Sequence, residues 1–226
     1  PSPPPPTPSP HTLSEKISSS STVYKVVSER NGVTMAMRRF DGVKAARDQV
    51  ERSMKLWEQA THPNIIMLHG AWIHQRALFF THEYFPGAQT LHERYLVRRV
   101  PVPEPTLWAY ISQIVTALRA IHALGLACRV VHPLRILWTS QNRIRVNCVG
   151  VIDVLEAESA KSVEEAQRED IYNLGRLILA LAIRMPVNSL DRFGLAEALD
   201  STRAHYTTEV VNLIAMSTYL AFAVAP

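Results

Sequence analysis

The side chains best suited to chemistry fall within residues 126–150 of this 226-residue chain. Cys128 and Cys148 are its two thiols, and His132 lies between them in sequence. Thiolate and imidazole are ligands that Zn²⁺ prefers, but three ligands at irregular spacing do not make a zinc-finger pattern. We therefore expect no metal site here. The order of the sequence motifs in and around residues 126–150 gives a better explanation of this segment.

That order has the frame of a protein-kinase catalytic loop without its chemistry. A catalytic loop reads His-Arg-Asp, then a metal-binding Asn, and a later strand leads into the metal-binding Asp of Asp-Phe-Gly. Laid over this chain without gaps, Val130 takes the place of the catalytic Asp, Arg135 that of Asn, and Cys148 that of the second Asp. The base and both metal ligands are absent. The segment resembles a kinase that is not an enzyme, with no catalytic residue and no metal.

Further matches follow in the order expected of a kinase. Arg38 stands where the phosphate-pairing Lys should be, and the position of its Glu partner falls near Ser53. Residues 16–21 lack the glycines that allow a loop to fold over phosphates. Asp170 matches the Asp at the start of the central helix of the large lobe. Only residues 151–169 separate it from Gly150, so a short activation segment is expected.

These matches imply an α+β fold of the bilobal, protein-kinase-like type, with a small antiparallel-sheet N-lobe and a mainly helical C-lobe. We assign residues 1–21 to a disordered linker rich in Pro and Ser, because Pro removes a backbone donor and fixes φ. Residues 22–85 are assigned to the N-lobe. Residues 86–226 are assigned to a truncated C-lobe with the shortened activation segment.

Local patterns predict the elements that would position these residues. The pair Asn31-Gly32 is a strong hairpin signal between two alternating runs. Apolar residues at helical spacing predict a helix over residues 44–59, a long helix from Pro105 and a central helix over residues 169–183. The apolar stripes of these helices are assigned to the core.

Composition limits the function classes. Apolar residues make up 47% and charged residues 19%, which is typical of a globular protein. No run of eighteen uncharged apolar residues occurs, so no membrane is expected among the partners. Two cysteines favour a reducing compartment over a disulfide framework. Because the chain begins with Pro, we expect it to be part of a longer protein.

The net charge of +4 is carried mainly by arginine, whose planar fork suits phosphate. Candidates for a phosphate-facing surface are Arg38 with Arg39, Arg98 with Arg99, and Arg143 with Arg145. Solvated arginines on exposed faces would give the same composition. A basic patch alone does not establish RNA binding.

Several runs resemble the regulatory subunit of the poly(A)-nuclease (Pan) deadenylation complex. They are residues 37–40, 103–114, 127–131, 142–148 and 174–181. This resemblance implies a non-catalytic pseudokinase adaptor that supports recruitment of a catalytic exonuclease to mRNA poly(A) tails, in the cytoplasm and P-bodies. The implied partners are the catalytic deadenylase subunit, poly(A)-binding protein through flanking segments, and poly(A) RNA. A homodimer would form through a coiled coil, which is absent from this chain.

The resemblance also implies a nucleotide site that holds ATP without hydrolysing it and without a metal. Arg38 would face the phosphates, and the hinge and floor would be supplied by the remaining residues of the site. These are Glu83, Tyr84, Phe85, Pro86, Gly87, Ala88, Gln89, Thr90, Leu134 and Arg135. Against this site, the glycine-rich loop is missing.

Arg129 and Asp170 are assigned a structural role, because the matching Asp of kinases anchors the catalytic-loop backbone from below. Two alternatives remain open. One is an unrelated pseudokinase scaffold that binds another kinase or a ligase. The other is a divergent phosphotransferase, in which Asp153 or Glu156 would have to reach Mg²⁺.

Overall fold

The computed structural model describes residues 21–43, 45–156 and 161–219. The linker assigned to residues 1–21 therefore lies outside the described residues except for Ser21. Ser21 is the first residue of a strand and not the last of a linker, because its backbone pairs with that of Phe40.

Four antiparallel strands and one helix form the N-lobe. The hairpin expected at Asn31-Gly32 is present, and Gly32 adopts the left-handed conformation that favours glycine, with φ of 70°. The strands follow the order β1-β2-β4-β3. Their bounds are β1 Ser21–Val27, β2 Thr34–Asp41, β3 Leu68–His74 and β4 Ala77–Glu83, and helix α1 runs over Arg47–Trp57 between β2 and β3.

One face of this sheet packs against α1. Phe40 of β2 and Phe80 of β4 are buried and meet edge to face, with their ring centroids 5.9 Å apart. Val50 and Trp57 of α1 join the same core, seven residues apart and therefore on one face of the helix. This packing fixes α1 over the sheet.

The C-lobe consists of one small sheet and a set of helices. The sheet has the order β5-β6-β7, with β5 at Gln89–Thr90, β6 at Ile136–Ser140 and β7 at Arg143–Val146. A π-helical turn occupies His92–Leu96. The α-helices are α2 Glu104–Ala123, α3 Val151–Leu155, α4 Val163–Ile183, α5 Val187–Phe193, α6 Leu195–Arg203 and α7 Thr208–Tyr219.

Helix α4 is the centre of this lobe. Its N-terminus carries a capping box, in which the Ser162 side chain accepts from the Glu165 amide and the Glu165 carboxylate accepts from the Ser162 amide. Its middle is buried, and Gly175 allows α7 to approach so closely that a Cβ there would lie 2.8 Å from Cβ of Ser217. The expected bilobal α+β fold is confirmed.

Candidate nucleotide site

Arg38 lies on β2 at the junction of the two lobes. Its neighbours in the sheet are Val23 of β1 and Phe80 of β4. The side chain is half-buried, and its Nη1 donates to Oγ of Ser21 at 2.7 Å. A guanidinium held in this way keeps further N–H donors for an oxyanion. The position therefore suits a phosphate contact.

The buried imidazole of His82 lies on β4, the strand that pairs with the strand of Arg38. Only 3% of His82 is exposed, and Nε2 has no hydrogen-bond partner among the described residues. Burial, together with the positive charge of Arg38, lowers the pKa of His82 to about 3, although a hydrogen bond with the Val149 backbone opposes the shift. His82 is therefore neutral at physiological pH and adds no positive charge to the site.

The expected hinge, residues 83–90, connects β4 to β5 between the lobes. The Glu83 amide donates to the Met67 carbonyl at 3.0 Å, which fixes the start of the connection. Lys25 lies over the Tyr84 ring, 5.4 Å from its centroid, and Arg145 lies over the Phe85 ring at 4.5 Å. Each of these two hinge rings is therefore contacted by a cationic side chain.

The rest of the hinge leads into the second sheet. Pro86 and Gly87 form an exposed turn, and the Ala88 amide returns to the Phe85 carbonyl at 3.3 Å. Gln89 and Thr90 then pair with β6. The Thr90 amide and hydroxyl donate to the Glu93 carboxylate at 2.8 and 2.9 Å. The rim of the site is therefore anchored to the large lobe.

Leu134 and Arg135 are the residues expected to form the floor, and the Arg135 backbone is held on both sides. Its amide donates to the His132 carbonyl at 2.8 Å, and its carbonyl accepts from the Asn147 amide at 2.8 Å. Burial lowers the pKa of the Arg135 guanidinium, Cys148 opposes this shift through its charge and a hydrogen bond, and Arg38 adds to it. Arg38 and Arg135 thus lie close enough to influence each other. Only 3% of Arg135 is exposed.

Arg129 and Asp170 meet beneath this floor. Oδ1 of the fully buried Asp170 accepts from the Arg129 amide at 2.7 Å, and Oδ2 accepts from the Cys128 amide at 2.7 Å. Nε2 of His122 lies 2.8 Å from Oδ2. Burial raises the pKa of Asp170, whereas these hydrogen bonds oppose that shift. The contacts are those expected of an anchor, and its energetic role stays a prediction.

The acids considered for a divergent phosphotransferase are engaged elsewhere. Oδ1 of Asp153 accepts from Nη1 of Arg129 at 3.0 Å, and Oε2 of Glu156 accepts from Nη2 of the same guanidinium at 3.1 Å. The second oxygen of Asp153 accepts from Nε1 of Trp57 at 2.6 Å. A carboxylate neutralised by Arg is a poor ligand for Mg²⁺, so the arrangement speaks against this alternative.

Among the described residues, no three His, Cys, Asp or Glu side chains come close enough together to hold a metal ion. Cys128 and Cys148 are both buried free thiols. Burial, with a further effect of the Asp170 charge, raises the pKa of the Cys128 thiol well above its ordinary value. Cys128 is therefore a core residue and not an activated nucleophile. Across the described ranges, no helix combines the length and apolar character needed to cross a bilayer.

Residues 18–186 match the protein kinase domain family. The chain belongs to the protein kinase family. Within this family it is similar to solved pseudokinases. The PAN3 pseudokinase of Neurospora crassa superposes with a TM-score of 0.80 and 31% identity, covering 88% of this chain and 51% of that one. The PAN3 pseudokinase of Drosophila melanogaster gives 0.78 and 27%, covering 88% and 56%.

Curated relatives of the chain are also PAN3 proteins. The PAN2-PAN3 deadenylation complex subunit pan3 of Dictyostelium discoideum is 38% identical over 199 residues, which are 85% of this chain and 26% of that protein. The corresponding subunit of Emericella nidulans is 36% identical over 179 residues, 74% and 27%. The chain thus spans about a quarter of the length of these relatives. The predicted resemblance to the Pan regulatory subunit and the non-catalytic character are confirmed.

Sequence reasoning missed the polar contacts of Asp153. It treated Asp153 only as a substitute metal ligand, whereas the structure pairs it with Trp57 and Arg129. These partners lie 96 and 24 residues away along the chain. The only local signal was that Asp153 closely follows Gly150.

Proposed function

We propose that this domain is a non-catalytic adaptor segment of a poly(A)-specific deadenylase complex, which supports recruitment of the catalytic exonuclease to mRNA poly(A) tails. The observation that carries the proposal is the combination of a kinase fold lacking its catalytic groups with 38% identity to a subunit of the PAN2-PAN3 complex. A domain that keeps this fold without a base or metal ligands acts by binding. An unrelated scaffold for a kinase or ligase has no such support.

The partners proposed for the whole protein follow from the same likeness. They are the catalytic deadenylase subunit, poly(A)-binding protein through flanking segments, and a second copy through a coiled coil outside this chain. The proposed location is the cytoplasm, including P-bodies.

Co-purification of the full-length protein tests the assignment. We expect a tagged full-length protein to recover a deadenylase from its own cells, and to raise the rate of poly(A) shortening when it is added back. The isolated chain should shorten no poly(A), because a two-metal exonuclease needs clustered carboxylates. Recovery of no deadenylase would overturn the proposal and leave a pseudokinase of other function.

We also propose that the cleft binds ATP without hydrolysing it. In support of this, Arg38 and Arg135 stand at the sequence positions of the kinase Lys and metal-binding Asn and lie close enough to influence each other, while His82 stays neutral. Arginine is a strong partner for phosphate and remains charged even when its pKa is lowered. A polyphosphate could therefore be held with little help from a metal.

Contact with poly(A) RNA is proposed to be electrostatic and to involve Arg98 and Arg99, which are exposed next to the π-helical turn. Reversal of both charges to Glu should weaken RNA binding by the full-length protein and reduce its salt dependence. Reversal of Arg119, an exposed residue of α2, together with the exposed Arg30 is the matched control, because it changes the net charge by the same amount. Equal losses in the two variants would mean that only net charge matters.

A further inference from the structure

The segment that follows Gly150 is packed between the two lobes. It forms the short helix α3, whose residues Val151, Ile152 and Val154 are buried in the common core. Asp153 lies between these apolar residues, and its carboxylate accepts hydrogen bonds from two polar partners. Those partners come from both lobes, which makes the segment a bridge.

Each oxygen of Asp153 has its own donor. Oδ2 accepts from Nε1 of Trp57, the last residue of α1 in the N-lobe, at 2.6 Å. Oδ1 accepts from Nη1 of Arg129 in the C-lobe at 3.0 Å. A single carboxylate therefore ties α1 to the loop anchored by Asp170, through two hydrogen bonds to an ionised group, which are the stronger kind.

Three more contacts hold the same segment to the N-lobe. Nε2 of Gln49 on α1 donates to the Val154 carbonyl at 2.7 Å. The indole of Trp57 lies directly against the backbone of Gly150. A Cβ on Gly150 would also lie 3.2 Å from Cδ2 of Leu68 on β3, so the same backbone lies against the sheet. Residues 150–154 are therefore bound to both α1 and the sheet.

Active kinases position the equivalent helix by other means. They use an ion pair between the phosphate-contacting Lys and a Glu on that helix, and phosphorylation of the activation loop controls it. Here Ser53 stands near the position of that Glu, and Arg38 donates to Ser21 instead. Arg129 is already paired with Asp153 and Glu156. Arg38 and Arg129 therefore have partners within this chain other than those used by the two kinase devices.

We propose that residues 150–156 form a built-in clasp between the lobes, with Asp153 as its positioning residue. The clasp holds α1 and the catalytic-loop segment in one relative orientation without bound nucleotide and without a phosphorylated residue. The domain then presents a constant surface to whatever it binds. This inference does not depend on the deadenylase assignment.

Hydrogen exchange of the backbone amides of α1 tests the clasp in the intact chain. Asp153→Asn should raise exchange over residues 50–57 by about tenfold or more, because one oxygen becomes an amide that cannot accept from its donor. Asp200→Asn removes an exposed acid paired with Arg203 and should leave α1 unchanged. Unchanged exchange in Asp153→Asn would overturn the proposal.

A double-mutant cycle separates the clasp from general destabilisation. Trp57→Phe keeps an aromatic ring and removes the indole donor, and it serves as the milder variant if Asp153→Asn does not fold. The combined effect of both changes on exchange should fall short of the product of the single effects by about threefold or more. Independent effects would show that the contact does not position α1.

The parent chain supplies the last arm of the test. Protection of α1 should already be present without nucleotide and should persist after phosphatase treatment, and ATP should add no more than the global stabilisation that its binding gives. Protection that appears only with ATP or is lost on phosphatase treatment would overturn a built-in clasp. None of these measurements uses the deadenylase, so their outcome is independent of the proposed function.

Discussion

Gly150 faces the indole of Trp57 so closely that a Cβ on Gly150 would lie 2.8 Å from Cδ1 of the ring. Its φ of 75° is also in the left-handed region. Gly150 stands at the Gly of the kinase Asp-Phe-Gly position, and in this chain it allows the following helix α3 to begin against α1.

Gly150→Ala should therefore lower the free energy of unfolding by about 3 kcal/mol or more, because a strained φ and a steric overlap combine. Urea unfolding followed by circular dichroism measures the change. Gly42→Ala is the control, since Gly42 has a φ of 69° but open space around its Cα. It should cost about 1 kcal/mol. Equal losses for the two variants would mean that packing against Trp57 is unimportant.

Local signals in the sequence predicted much of this fold. The hairpin at Gly32 and the long helix α2 follow from turn chemistry and helical spacing. Helix α4 begins at Val163, ahead of the expected Glu169, although its Ser162–Glu165 capping box was readable. Helices α3, α5 and α6 were not predicted, because they are short and depend on tertiary packing.

In the candidate site, the positions of the residues could be predicted from the sequence, but their side-chain contacts could not. Alignment to a kinase frame placed Arg38, the hinge and Asp170 in order, since these positions depend on spacing along the chain. The side-chain partners could not be read from spacing. The pairing of Trp57 with Asp153, the ring contact of Arg145 with Phe85 and the burial of Arg135 arise only when distant segments pack together.

No phosphoryl transfer is expected from this domain. The reaction requires a base that orients the hydroxyl and metal ions that neutralise developing charge. Val130 and Cys148 provide neither, and Asp153 is bound to Arg129. Incubation with labelled ATP and Mg²⁺ or Mn²⁺ should label neither the chain nor generic substrates, while an active kinase assayed in parallel does. Transfer that is abolished by Asp153→Asn or Glu156→Gln would contradict this.

Nucleotide binding should depend on Arg38 and only weakly on Mg²⁺. A ligand present at 100 times its Kd stabilises the fold by about 2.7 kcal/mol, which a melting curve detects. We expect millimolar ATP to raise the Tm of the parent chain in EDTA as well as in Mg²⁺, and Arg38→Ala to abolish the rise. Arg39→Ala is the matched control, because Arg39 is adjacent in β2 and pairs with Asp41 in solvent. A parent Tm unaffected by ATP would show that the cleft is vestigial.

The buried His82 should make stability depend on pH. Its folded pKa of about 3 lies below the ordinary value of 6.5, so the unfolded chain binds more protons between these values. Stability is therefore complete above pH 6.5 and is lost as pH falls toward 3, by up to about 1.4 kcal/mol per pH unit. His82→Gln should flatten this slope between pH 4 and 6.5 in urea unfolding. Equal slopes in parent and variant would show that His82 can protonate in the folded state.

Asp170 should contribute to stability through the three donors it satisfies, and not through charge in general. Asp170→Asn keeps the shape of the side chain but places an N–H₂ group where one oxygen accepted from Cys128 or Arg129. A buried amide then loses its acceptor, which costs about 2 kcal/mol or more. Asp48→Asn removes an equal charge from an exposed pair with Arg52 and should change the free energy of unfolding by less than about 0.5 kcal/mol.

Hydrogen exchange distinguishes a local role of Asp170 in the loop from a general role in the stability of the lobe. If Asp170 anchors the loop, the amides of residues 128–131 should lose protection from hydrogen exchange more than those of α7, which does not contact the loop through Asp170. Loss spread evenly over α7 and the loop would show that Asp170→Asn weakens the whole lobe. In that case Asp170 would be a general core residue. A loss centred on Arg129 would show that Asp170 holds the loop in position, although this kinase fold lacks its catalytic groups.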